Sequence, residues 1–157
     1  MRINRSVPPP TVVPVLVYPD VRAAVAFLSA AFGFIERTRI GESHRAQMAV
    51  GDDGAVIVAD AGAERRAPLP GGVTHVVRVR VADVDAAFAR ARDHGALVVE
   101  APVDRQYGER DCTLKDIAGH CWQLAEAIGD VAPEEYGCET VSPWPAYEGR
   151  NARGATR

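Results

Sequence analysis

Apolar residues alternate along a short stretch and then recur at helical spacing, and this happens twice in the chain. Val13 to Val17 reads as a strand, and Asp20 then precedes Val21, Ala24, Val25, Leu28 and Phe32, which fall on one helical face. Gly33 follows. Further on, Val77, Val79 and Val81 alternate, Asp83 comes next, and Val84, Ala87, Phe88 and Ala91 repeat the helical spacing before Gly95. Each aspartate can accept hydrogen bonds from the free amides at a helix start, and each glycine can take the left-handed conformation that ends one. After each helix come three alternating or apolar segments: Phe34 to Ile40, His44 to Val50 and Ala55 to Asp60, then Leu97 to Glu100, Tyr107 to Leu114 and Cys121 to Ala125. The pattern predicts an α+β protein made of two βαβββ modules.

Between them, residues 62 to 72 hold Arg65, Arg66, Pro68, Pro70 and a Gly-Gly pair, a linker composition. The expected organisation is an N-terminal extension over 1–10, a first module over 11–70, a second over 71–136 and a C-terminal tail over 137–157. Periodicity is lost in the tail, where Trp144 and Tyr147 are its candidate docking side chains.

Composition changes this picture mainly by exclusion. Eighteen basic against 21 acidic residues give a formal net charge of −3, which gives no footing for nucleic-acid or anionic-membrane binding. Met1 to Pro10 has no apolar secretion core, and the apolar run Ala23 to Ile35 falls short of the roughly 18 residues that span a bilayer. The expected location is the cytoplasm. Cys112, Cys121 and Cys138 are odd in number and lack paired spacing, so they read as reduced thiols.

Four stretches in order, "VPVLVYPDVRAAVAFLSAAFGFIER", "VVRVRVADVDAAFARARDHGA", "YGERDCTLKDIAGHCWQL" and "DVAPEEYG", resemble the vicinal-oxygen-chelate superfamily of glyoxalases, bleomycin-resistance proteins and dioxygenases, and within it the PhnB-like branch. The resemblance covers about residues 11 to 137. It implies that the two modules curl into an incomplete barrel around a cavity, with helices outside, and that the protein is a homodimer with a small organic ligand. It also implies a divalent-metal site built from His or Glu on specific strands, holding substrate oxygens by Lewis acidity.

The ligand positions implied by the resemblance are largely empty of donors here. Val13 stands at the first, Val56, Ile57 and Val58 at the second, and Gln123 replaces the glutamate of the last strand. His75 lies one residue before the remaining position, Val76. A one-residue offset turns a strand side chain to the other face unless a bulge intervenes, so His75 is a weak metal candidate and a hydrogen-bonded strand-end histidine is the alternative. With Val77, Val79 and Val81 beneath the helix, Arg78 and Arg80 should point to the concave face, where they need acidic partners or an anionic ligand group. Gln123 and Gln47 join them as candidate ligand contacts, and Arg110 does so because relatives carry an arginine near the cavity rim. Met48 and Trp122 are apolar candidates for the same pocket, with plain core as the alternative.

No nucleophile elbow, phosphate-binding loop, dinucleotide fingerprint or zinc-protease motif occurs. Two functions remain: a small-molecule-binding protein without the usual metal centre, or an enzyme of the same superfamily acting through a metal or by acid-base chemistry.

Overall fold

The computed structural model describes residues 3–142 and 144. The first helix, α1 (Val21–Phe32), starts where the Asp20 carboxylate accepts from the Ala23 amide at 2.9 Å, and it ends at Gly33 with φ of +73°. The second, α2 (Val84–Asp93), starts on Asp83, which accepts from the Ala86 amide at 2.8 Å. Both caps satisfy amides that would otherwise lack a partner at the first turn.

Around α1 lie β1 (Val15–Tyr18), β2 (Ile35–Ile40), β3 (Arg45–Val50) and β4 (Gly54–Asp60). They form a four-stranded sheet in the order β1-β4-β3-β2. Around α2 lie β5 (Val76–Arg80), β6 (Leu97–Arg105), β7 (Glu109–Lys115) and β8 (Cys121–Ala127), in the equivalent order β5-β8-β7-β6. In both sheets the strand before the helix pairs parallel to the last strand, and the other pairs are antiparallel. The two βαβββ modules expected from the sequence are therefore present. A short 3-10 turn, Pro133–Tyr136, follows, and Trp144 beyond it is 76% exposed, so it docks nothing onto the domain; Tyr147 lies outside the described residues.

The helix-side faces of both sheets belong to one core. Trp122 on β8 is fully buried, with ring centroids 5.3 Å from Phe32 and 5.4 Å from Phe34, two side chains of the first module. Burial of such a side chain contributes about 3 kcal/mol. Polar bonds cross the same junction. The Tyr18 hydroxyl donates to Asp116 at 2.6 Å, the Trp122 indole N–H donates to the same carboxylate at 2.9 Å, and Arg90 Nε donates to the Ala31 carbonyl at 3.1 Å. His120, between β7 and β8, places Nε2 2.8 Å from the Val17 carbonyl; since a carbonyl only accepts, Nε2 carries the proton. With the helix sides used in this way, each sheet keeps its opposite face for other purposes.

Candidate functional site

Strand alternation puts four neighbouring side chains of the second sheet in one row on that opposite face: Arg78, Gln123, Thr113 and Glu100 face one another across β5, β8, β7 and β6. Arg78 donates through Nη1 to Gln123 Oε1 and through Nη2 to Glu109. Asp111 stands 3.5 Å from the same guanidinium. Arg105 grips Asp111 from the other side through Nε at 2.9 Å and Nη2 at 2.8 Å, and it also reaches Glu100. Tyr107 adds its hydroxyl as a donor to Asp111 at 3.0 Å. Asp111 itself is fully buried.

The electrostatics follow from this geometry. Burial alone would raise the Asp111 carboxyl, but hydrogen bonds from Arg105 and Tyr107 outweigh it and hold the group below the usual carboxylate range. For Arg78 burial favours loss of the proton, yet the charge and hydrogen bond of Glu109 prevail and raise its pKa. Arg78 is consequently a neutralised member of a network. Arg80, two residues on and on the same face, is exposed and has no ion-pair partner among the described residues.

The other expected contacts separate into groups. Gln47 lies on the corresponding face of the first sheet, where it is buried and its Nε2 donates 3.0 Å to the Ser6 carbonyl of the N-terminal extension. Met48 and Trp122 have the opposite parity and belong to the core, although Met48 also borders a groove described below. Arg110 departs from the rim position implied by the resemblance. It shares parity with Cys112 and Leu114, which face the helix, and its guanidinium bonds to Asp85 on α2 at 2.9 and 3.0 Å and to Asp104 at 2.7 Å. His75 is exposed, with its ring centroid 6.2 Å from that of His120. Among the described residues no group of three or more His, Cys, Asp or Glu side chains is placed to hold a metal ion. The buried Cys112 thiol is pushed up to about 11 by desolvation, which leaves it a poor nucleophile.

Glu109, Asp111, Arg105 and Tyr107 were not foreseen from the sequence. Two of them were accessible to the same alternation, since Glu109 and Asp111 precede Thr113 by even steps along β7. Arg105 closes β6, beyond where the sequence pattern ends that strand, and Tyr107 lies in the tight turn into β7, where periodicity says nothing about direction.

The first sheet differs on its corresponding face. Residues 5–10 run across it, and between this arm and strands β2 to β4 lies a groove of about 360 Å³ bordered by Arg5, Arg37 and the Asp52–Asp53 turn. A second groove, of about 260 Å³, lies between β1 and the inter-module linker and is bordered by Val15, Val17, His75 and His120.

A family model described as the Glyoxalase/Bleomycin resistance protein/Dioxygenase superfamily matches residues 11–124. An uncharacterized protein of Mycobacterium bovis is 30% identical over 135 residues, spanning 80% of this chain and 89% of its own. Among solved structures, TioX from Micromonospora sp. ML1 is 31% identical with a TM-score of 0.60, the alignment covering 73% of this chain and 96% of TioX. A glyoxalase/bleomycin resistance protein/dioxygenase from Nocardioides, at 22% identity and a TM-score of 0.60, covers 83% of this chain and 93% of its own and shares the fold.

Proposed function

The chain belongs to the Glyoxalase/Bleomycin resistance protein/Dioxygenase superfamily, and on that footing we propose that it is a cytoplasmic small-molecule-binding protein, working as a homodimer without a metal centre. The resemblance of four stretches of its sequence to the PhnB-like branch supports that branch as its position within the superfamily. The observation that carries the binding reading is the polar face of the second sheet. Arg78, Gln123 and Asp111 are locked there by hydrogen bonds, and Arg80 stands beside them with its charge unmet. A face held rigid in this way recognises a ligand at low entropic cost.

The donor set at the metal positions does not fit a divalent ion. Gln123 is a neutral amide whose oxygen is already bonded to Arg78, and Val13, Ile57 and Val76 offer no ligand atom. Within the pair of arginines the roles divide. Arg78 positions the floor of the site, and Arg80 meets an anionic group of the ligand, such as a carboxylate.

Dimer formation is supported by the edges. β1 and β5 are outer strands, and Val15 and Val76 on them are about half exposed, at 47% and 52%. Unpaired apolar edges of this kind invite another chain. A second copy would bring a further face opposite Arg80 and so turn an open sheet into a cleft. Sedimentation equilibrium should return twice the mass of one chain; a monomer at micromolar concentration would remove this part of the reading.

The ligand reading is tested by thermal-shift screening against a panel of organic carboxylates, with metal analysis of the same purified protein. An acid that raises the Tm of the wild type should leave Arg80→Ala unshifted. Retention of the full shift by that variant, or a stoichiometric divalent ion in the protein, would overturn the proposal.

A further inference from the structure

The groove beneath the N-terminal arm lies on the other module from Arg80 and is built from different chemistry. One wall is the arm, where Val7 and Pro8 to Pro10 present rigid apolar surface; the floor is Ala49 and Ala55 with Gln47 between sheet and arm. Two features aim charge into it. Arg37 is the extra residue of a β-bulge, where the register between β2 and β3 shifts from Glu36 to Thr38, and a bulge re-aims the side chain it carries. Asp52 and Asp53, at the tip of the β3–β4 turn, border the same groove.

That turn is fixed by its glycines. Gly51 has φ of +57°, and a Cβ on Gly54 would come within 2.7 Å of the Val50 carbonyl oxygen. The acidic tip is held where it is.

Arg5 from the arm and Arg37 from the bulge give two cations, and Asp52 and Asp53 give two anions. Among the described residues none of the four lies in a salt bridge, although all border one groove. No ion pair among the described residues cancels these four charges. A singly charged ligand would meet one pair and be opposed by the other. A ligand carrying both signs a few ångströms apart satisfies both, and an apolar group beside them has the proline wall to lie against.

We propose that this groove is a second binding site, for a zwitterionic ligand with an apolar or aromatic side chain, of the free amino acid class. Its carboxylate lies toward Arg37 and Arg5, its ammonium toward Asp52 and Asp53, and its side chain against Pro8 to Pro10. The volume, about 360 Å³, is in the range of small-molecule pockets.

The test is a set of two-dimensional amide NMR titrations with four probes on the full chain: L-phenylalanine, N-acetyl-L-phenylalaninamide, phenethylamine and 3-phenylpropionate. L-Phenylalanine should shift amides of residues 5–10 and 49–55 saturably, and bind about fivefold or more tighter than each of the other three. Arg37→Gln and Asp53→Asn, both at exposed positions, should each weaken it about fivefold, whereas Arg80→Ala leaves it unchanged, so this site and the one on the second sheet succeed or fail separately. The proposal is overturned if the neutral or singly charged analogues bind as well, if neither variant weakens binding, or if no saturable shift occurs up to about 10 mM.

Discussion

The same row of four positions can be compared between the two modules. Val15 stands five residues before the helix cap Asp20, as Arg78 does before Asp83, and each heads a row across its sheet. In the first module the row is Val15, Ile57, Gln47 and Thr38; in the second it is Arg78, Gln123, Thr113 and Glu100. One residue along, on the helix side, the rows read Leu16, Val58 and Ala46 against Val79, Leu124 and Cys112. The helix-side rows are apolar and buried in both, because both complete one core. The opposite rows diverged. The first is an uncharged row partly covered by the N-terminal arm, the second an open hydrogen-bonded network. In a duplicated fold, the face without a packing duty is the one free to acquire chemistry.

The sharpest way to break this comparison is at Asp111. Asp111→Asn removes the buried charge on which Arg105 and Arg78 converge, and it should cost about 3 kcal/mol in urea unfolding. Its acid dependence gives a second readout. A carboxyl held low in the folded state stabilises above its unfolded pKa, and that stability is lost as pH falls through the depressed folded value. The wild type should therefore lose stability below about pH 4 more steeply than Asp111→Asn. Equal acid profiles would show that the network contributes nothing through that charge.

On the first sheet the effects should be smaller. Gln47→Leu removes one side-chain hydrogen bond to the arm in an apolar setting, a loss of about 1 kcal/mol by the same measurement. If Gln47→Leu were to cost as much as Asp111→Asn, the arm would be an integral part of the core rather than a cover, and the contrast between the two faces would fail.

The modules, caps and helix limits were legible because they rest on local chemistry. Asp20, Asp83 and Gly33 each act within a turn of their own position. Strand ends were less legible. β6 continues past Glu100 to Arg105, since two register irregularities against β7 let the pairing carry on through Pro102. Alternation placed Arg78 and Arg80 opposite the helices, and Gln47, named as a pocket candidate without that argument, lies on the corresponding face of the first sheet. Applied to Arg110, the same alternation groups it with Cys112 and Leu114; the rim position came from resemblance, and Asp85 on α2 is the partner that resemblance does not supply. The arm was not readable at all. Nothing in its prolines specifies which sheet they cover, and the bulge that turns Arg37 into the groove leaves no mark in the hydrophobic pattern.

Asp116 holds the Tyr18 hydroxyl of one module and the Trp122 indole of the other on a single carboxylate. For a fold built from two like modules, this amounts to a surrender of autonomy. Neither module has a complete interior of its own, so the pair should unfold in one cooperative step, and any rearrangement of the gene would have to move both halves together or lose both.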